Sequence, residues 1–556
     1  MAIMTNNGKF TPDFKVMFGA SPSIDSPLPS FSALVVPSRE KWNDFGFRTL
    51  VNIHVRLEQE QFEISSYLGY ITTVDSELSD VRKLEESLQA ASNLTIAAHD
   101  SQRFFTMLPS LDDYRRLVRR IGTNAAAKLL IALRDLVALA ELQPKSNIPA
   151  AATGTKVFQK SFVRTSEAFF AFKNAGTILR GNAAEEFGRM SQNIEVSFQL
   201  SGRKNGHHLK FRFDHEANLP KRIAIVIGKN GVGKSQSLGQ IVRAALAGDS
   251  KSLRDADTSS RVLMNRLLAF APTTESVSVF PGDRRKNAKV WYKRFSLNRG
   301  GRTRRGEGIA GTVLELARSA DYIGEKSRWR IFLDSLEDAL SDSQQIALLT
   351  KDKSAQPIHL TSLRGGRGEE SSLELFASID VSKDPVRWIG PHTYPLSSGE
   401  ISFLRFAVQA SLYIENGSLL LLDEPETHLH PNFISHFVAV LNSMLAQTGS
   451  AAVIATHSAY FVREVFREQV TVLATDEEGH VSIEPLRFQT FGADVGSISY
   501  FVFGEDKPSM LADEVEKRLL ARYQTWEHLY ADYKDHLSPE MLGSLRLALE
   551  SGGVDE

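Results

Sequence analysis

The stretch Arg222–Gly239, RIAIVIGKNGVGKSQSLG, decides the fold. Ile223 to Ile227 form an unbroken apolar run of the kind that fills a strand buried on both faces. Directly behind it, Gly228, Lys229, Asn230, Gly231, Val232, Gly233, Lys234 and Ser235 satisfy the pattern G-x-x-x-x-G-K-[ST]. Gln236 then opens a run to Ala247 with helical spacing. Glycines let successive N–H groups curl around phosphate oxygens, and the helix N-terminus adds a favourable dipole. Lys234 is placed to neutralise phosphate charge and Ser235 to hold Mg²⁺ through its hydroxyl. The bland alternative is a chance glycine-rich turn between a strand and a helix, and the two flanking elements argue against it.

Three further segments lie downstream. Ser418–Pro425, SLLLLDEP, carries four consecutive leucines ending in two acids, which reads as a central strand with both carboxylates at its tip. There Asp423 would bind Mg²⁺ through water, and Glu424 would orient or deprotonate an attacking water. Leu396–Glu400, LSSGE, precedes a helical run; alone it is a helix N-cap with a glutamate nearby. Val453–Ser458, VIATHS, puts His457 at the end of another apolar strand, where a single histidine is more often structural.

Taken together and in this order, the four segments resemble the ABC-type ATPases. The resemblance implies an α/β P-loop ATPase core that uses ATP and Mg²⁺ and works as a homodimer or higher oligomer. It implies that Ser397, Ser398, Gly399 and Glu400 face the γ-phosphate bound by a second copy, that His457 senses that phosphate, and that Glu424 and His457 are the catalytic pair. The phrase DEPETHLHP at Asp423–Pro431 is similar to the stand-alone RecF and OLD groups rather than to transporter subunits. One departure stands out. The strand that should carry the Q-loop glutamine, RLLAFAPTTESVSVF, has none, so that Thr273, Thr274 or Ser276 takes its place or hydrolysis is slow.

Four more phrases, KWNDFGFRTLVNIHV, RFFTMLPSLDDYRRLVRRIG, KRFSLNRG and QTFGADVGSISYFVFGE, resemble the PtuA ATPases of Septu and Septu-like retron anti-phage systems. That resemblance implies an HNH nuclease partner of the PtuB type and, in retrons, a reverse transcriptase with its RNA–DNA hybrid. Two alternatives stay open, an OLD-like ATPase with its own nuclease and an SMC- or RecF-like repair ATPase. Against a built-in nuclease, Asp476, Glu477 and Glu478 in TDEEGHV read as a hairpin turn, and no D-x-D pair follows.

Length and composition bound the rest. A chain of 556 residues is too long for one core, and 42% hydrophobic with 24% charged residues is ordinary for a globular protein. The reading is a loose leader over 1–30, a strand-and-helix (α+β) region over 31–185, and an ATPase lobe over 186–300. A helical insertion over 301–385, a second lobe over 386–505 and a helical tail over 506–556 complete it. A net charge of −1 announces no nucleic-acid binder, and zero cysteines exclude disulfides and thiolate metal sites. The chain shows no signal-like or membrane-spanning run, which suggests a cytoplasmic protein without a membrane partner. The candidate nucleic-acid patch is Arg284, Arg285, Lys286, Lys289, Lys293 and Arg294, with aromatic residues interleaved. Arg115, Arg116, Arg119 and Arg120 read as a solvated helix face.

Overall fold

The computed structural model describes residues 13–21, 28–39, 46–72, 78–91, 95–99, 102–181, 190–214, 221–272, 279–283, 288–297, 308–319, 321–340, 342–352, 354–365, 369–429, 431–476, 478–503 and 510–551.

The N-terminal region is a sheet backed by helices. Its strands are β1 (Lys15–Gly19), β2 (Ser32–Pro37), β3 (Leu50–Arg56), β4 (Gln61–Tyr70), β5 (Thr95–Ala97) and β6 (Phe104–Met107), in the order β5-β1-β2-β3-β4-β6. Its helices are α1 (Val81–Ala91), α2 (Leu111–Ala132), α3 (Leu136–Leu142), α4 (Ile148–Thr153) and α5 (Ser166–Asn174). The loose-leader reading of 1–30 is corrected here: Lys15–Gly19 runs parallel to β2 and buries Phe18 in the core. Five residues sufficed, because the polar composition around them hid one apolar stretch. Helix α2 starts on a Ser110 cap whose hydroxyl accepts from the Asp113 N–H, and it kinks at Gly122, where φ is 79°.

The solvated reading of the α2 arginines is also corrected. Arg115 is wholly buried, and its Nη1 donates to Glu415 Oε1 at 2.8 Å, 300 residues away in sequence. Its neighbours are engaged as well. Arg116 pairs with Asp112, Arg119 lies 4.3 Å over the Tyr322 ring, and Arg120 pairs with Glu60.

Next come β7 (Asn193–Phe198), β8 (His207–Arg212), β9 (Ile223–Gly228), α6 (Lys234–Ala247), β10 (Leu253–Asp255), β11 (Arg266–Ala271) and β12 (Trp291–Ser296). The first two strands and β10 form a small antiparallel sheet, in the order β10-β7-β8.

The segment from 308 to 395 is more than the helical insertion that its composition suggests. It holds α7 (Ile309–Arg318), the hairpin β13 (Tyr322–Ile323) and β14 (Lys326–Ser327), and α8 (Arg328–Ala339). After these come β15 (Ile346–Leu348), β16 (Ile358–His359), α9 (Glu369–Ser378), β17 (Val386–Ile389) and β18 (His392–Pro395). The last four strands form an antiparallel sheet ordered β16-β15-β17-β18. Strands of two to four residues are too short to show an alternating pattern, so helical spacing dominates the reading of the sequence.

The chain then returns to the main sheet through α10 (Ser398–Tyr413), β19 (Leu419–Asp423), α11 (Pro431–Thr448), β20 (Ala451–Thr456), α12 (Ala459–Val462), β21 (Val470–Thr475) and β22 (Val481–Glu484). That sheet has seven strands in the order β12-β11-β19-β20-β9-β21-β22. All are parallel except β22, which closes the edge as an antiparallel hairpin with β21. Every residue of β9, β19 and β20 is buried, as unbroken apolar runs require when helices cover both faces. Each buried leucine of β19 contributes roughly 1.5–3 kcal/mol. The parallel register brings the carboxyl ends of β9, β19 and β20 to one edge, where ligands bind in open parallel sheets.

Residues 492–556 are a separate compact unit. It comprises α13 (Val495–Phe503), α14 (Met510–Arg522), α15 (Trp526–Tyr533) and α16 (Pro539–Ser551), with Leu519, Leu529, Leu542 and Leu545 in its core. The tail therefore starts at Gly492 rather than at 506, and α13 belongs to it. Among the described residues, no helix is long and apolar enough to cross a membrane.

Candidate nucleotide site

The phosphate loop lies between β9 and α6. Gly233, the residue before the helix, has φ 101°, a left-handed conformation that glycine adopts without strain. A Cβ there would come within 2.7 Å of Leu200 Cδ1, and a Cβ on Gly228 would overlap the Leu473 carbonyl oxygen of the neighbouring strand. Both glycines are thus fixed by close approach as well as by curvature. Val232 is buried and pins the loop, while Lys229, Asn230, Gly231 and Gln236 are exposed. Lys234 is buried, and its Nζ donates to the carbonyls of Gly228 at 2.9 Å and Lys229 at 3.1 Å. Burial lowers the Lys234 pKa, with Glu424, Glu426 and Asp423 pulling it back up. An ammonium so placed is ready to exchange two carbonyls for a stronger, charged acceptor.

Strand β19 delivers the acids. It does not neighbour β9, because β20 lies between them, yet the Ser235 hydroxyl reaches the Asp423 carboxylate. Burial pushes the Asp423 carboxyl up to about 6; Glu424 and Glu426 add to the rise, and Ser235 and Lys234 oppose it. Its Oδ1 is buried with no hydrogen-bond partner. A hard oxygen pair, one carboxylate with an unmet lone pair and one hydroxyl, fits Mg²⁺. Ser235 and Asp423 would hold that ion, whose positive charge would answer the buried carboxylate.

Glu424 follows with φ 43° and ψ 53°, a left-handed conformation that costs a non-glycine residue roughly 1–2 kcal/mol. The strain is held by the Glu424 N–H donating to Ala455 O at 2.8 Å and by Thr427, whose N–H and hydroxyl donate to Glu424 O. The Glu424 side chain is 31% exposed, open to solvent beside the loop. His457, at the end of β20, has Nδ1 3.8 Å from Glu424 Oε1 and 3.1 Å from Glu426 Oε1.

Residues 388–463 match a family described as "AAA domain, putative AbiEii toxin, Type IV TA system". The chain is 33% identical to protein ea59 of Escherichia phage lambda over 108 residues, 19% of this chain and 20% of that protein. It is 36% identical to UvrABC system protein A of Chlamydia muridarum over 75 residues, 14% of this chain and 4% of that protein. The chain thus spans no more than about a fifth of either curated relative. Among solved structures, an SMC head bound to the C-terminal winged-helix domain of ScpA shares 10% identity at a TM-score of 0.29, covering 53% of this chain and 97% of that one. The fold is that of the AAA/ABC-type P-loop ATPases.

The LSSGE segment starts helix α10. The Ser397 hydroxyl accepts from the Glu400 N–H at 3.3 Å, and Glu400 Oε2 accepts from the Ser397 N–H at 2.8 Å. Arg387 of β17 also grips Glu400, and its other end reaches Asp342. The small insertion sheet therefore braces the segment directly. Ser397 and Ser398 are exposed and Gly399 is buried.

The basic patch is only partly in view. Arg284, Arg285 and Lys286 lie outside the described residues, as do Thr273, Thr274 and Ser276. Lys293 Nζ sits 3.4 Å from the centre of the Tyr413 ring, the Arg294 guanidinium donates to Phe280 O, and Lys289 packs against Gly248. These three residues bind the ATPase body to itself. Asp476 and His480 close the β21–β22 turn, in line with the hairpin reading of TDEEGHV.

Four residues of the site were not singled out from the sequence. Glu426 and Thr456 flank His457, and Arg203 donates to the Gly231 carbonyl from the β7–β8 turn. His207, stacked on Phe198 with ring centres 4.8 Å apart, is buried beside Gly233. Of these, Glu426 alone had a visible signal, a third acid in DEPE.

Proposed function

We propose that this chain binds Mg·ATP and hydrolyses it to ADP and phosphate in sites shared by two face-to-face copies. The observation that carries the reading is the buried Asp423 carboxylate, its Oδ1 without a hydrogen-bond partner and Ser235 close enough to oppose the rise in its pKa, beside Lys234 and a strained, solvent-reaching Glu424. In this reading Glu424 takes a proton from water as its oxygen attacks the γ-phosphorus and the bond to the ADP oxygen breaks. Lys234 neutralises charge gathered on the phosphates, and Ser235 and Asp423 would hold a Mg²⁺ that would supply further positive charge there. The exposed Ser397 and Ser398, with Gly399 and Glu400 at a helix start, supply the cap for the nucleotide held by the other copy. With no Q-loop glutamine, either Thr273, Thr274 or Ser276 takes its place or turnover is slow.

Phosphate release and light scattering test this together. Glu424→Gln should lose hydrolysis by about 10²- to 10⁴-fold, keep ATP and accumulate dimers. Lys234→Ala should neither bind nor dimerise. An unchanged mass with and without Mg·ATP, in both wild type and Glu424→Gln, would sink the shared site.

At a finer level, the ATPase serves a cytoplasmic anti-phage complex, holding an HNH nuclease partner in check. The PtuA-like phrases support this. Co-expression with the neighbouring reading frames should yield an ATP-sensitive complex with the nuclease, joined in a retron by reverse transcriptase and its RNA–DNA hybrid. A nuclease that never co-purifies would count against it.

A further inference from the structure

We propose that Glu426 is the positioning residue for His457, fixing the ring and its tautomer so that Nε2 is the nitrogen that meets the nucleotide or its attacking water. This deepens the ATPase reading and rests on it for the part played by Nε2.

Glu426 stands in the short turn Pro425–His428 just past the strand-end acids, and its side chain is only 8% exposed. One oxygen does the holding. Oε1 accepts from the Thr456 hydroxyl at 2.5 Å and from the His457 N–H at 2.9 Å, with His457 Nδ1 at 3.1 Å. Thr456 Oγ1 in turn accepts from the Ser458 N–H at 2.9 Å, so one carboxylate oxygen organises residues 456 to 458. Glu424 is the other acid near the ring, but at 3.8 Å it lies beyond hydrogen-bonding distance. The Nδ1–Oε1 contact is an ion-pair distance rather than an aligned hydrogen bond, and a proton on Nδ1 avoids setting a ring lone pair against the carboxylate, which leaves Nε2 for the site. The arrangement also explains why a third acid occupies a crowded, partly desolvated edge: Glu424 stays open to solvent, and Glu426 is spent on geometry.

The experiment combines a double-mutant cycle with a spectrum. Glu426→Ala should lower kcat by about 10- to 100-fold, as loss of an outer-shell partner does for metal-bound histidines, with KM for ATP unchanged, and Glu426→Gln should recover most of that loss. In a His457→Ala background the same changes should cost nothing more. In ¹⁵N-histidine-labelled protein, the His457 signal, assigned by its loss in His457→Ala, should report a proton on Nδ1. That signature should vanish in Glu426→Ala and persist in the isosteric Glu426→Gln, whose amide oxygen still accepts, the second variant guarding against a folding defect in the first. Losses that multiply across the cycle, or a wild-type ring protonated on Nε2 alone, would overturn the inference. A wild type with no turnover defeats the ATPase reading instead, and the spectrum still decides the Glu426 contact.

Discussion

Two clusters of buried charge in the main unit are built on opposite principles. Around Glu415 (2% exposed), Oε1 accepts from Arg115 and from the Asn416 N–H, and Oε2 accepts from Arg328 at 3.0 Å. Both carboxylate oxygens are met, and an unmet buried atom there, Arg328 Nε, is a donor. Around Lys234, Asp423 Oδ1 and Glu426 Oε2 are buried without partners, and Glu424 is held in a strained conformation. The first cluster joins the N-terminal region, the insertion and the α10–β19 segment; the second keeps unmet carboxylate oxygens at the strand ends beside the phosphate loop. The pKa shifts carry the same contrast. Burial raises the Glu415 carboxyl, but Arg115, Arg328 and Arg266 outweigh it and hold it down to about 2, whereas the Asp423 carboxyl is pushed up to about 6.

The contrast makes predictions of opposite sign. The largest effect belongs to Glu415→Gln, which strands two buried guanidiniums and should destabilise the protein by about 3–5 kcal/mol in denaturant titration. A loss below about 1 kcal/mol would remove the distinction between the clusters. Replacing Arg115, Glu415 and Arg328 together by apolar residues of similar volume should recover most of that loss.

Next, Asp423→Asn should stabilise the nucleotide-free protein by about 1–3 kcal/mol at pH 7.5, while Mg²⁺-dependent ATP affinity collapses. The pH dependence fixes the signs. Asp423, raised in the fold, favours folding below its unfolded pKa of about 4, and that contribution is lost as pH rises through about 6. Glu415, depressed in the fold, contributes above about 4.5, and that contribution is lost as pH falls through about 2. Subtracting the Asp423→Asn curve from wild type isolates the first window, to which Asp135, likewise pushed up to about 6 by burial, contributes equally in both proteins. A wild-type-minus-variant difference that stays flat from pH 4 to 7 would refute the Asp423 assignment.

The smallest effect is that of Glu424→Gly, which relieves the left-handed strain. Its thermal midpoint should rise by the equivalent of about 1 kcal/mol as hydrolysis is lost. A lower midpoint would show that the side chain stabilises the resting protein.

The main sheet was legible because its strands are continuous apolar runs that end in chemistry-bearing residues. IAIVIG, LLLLD and VIATHS each sit where the sequence alone puts them. What escaped depends on distance along the chain or on brevity. Arg115 looked like part of a solvated face because its partner lies 300 residues away. β1 and the insertion sheet are too short for periodicity to register. Glu426 was visible as an acid, but its hold on residues 456 to 458 exists only because β20 runs beside β19 in the folded sheet.

Helix α10 links the two clusters in a further way. Its first turn bears the exposed serines, and Glu415 lies two residues past its last. At 1.5 Å per residue it is a rod about 24 Å long. Its start is held where Arg387 grips Glu400, and just past its end Glu415 is held by Arg115 and Arg328, so one continuous helix ties the insertion sheet to the buried ion cluster.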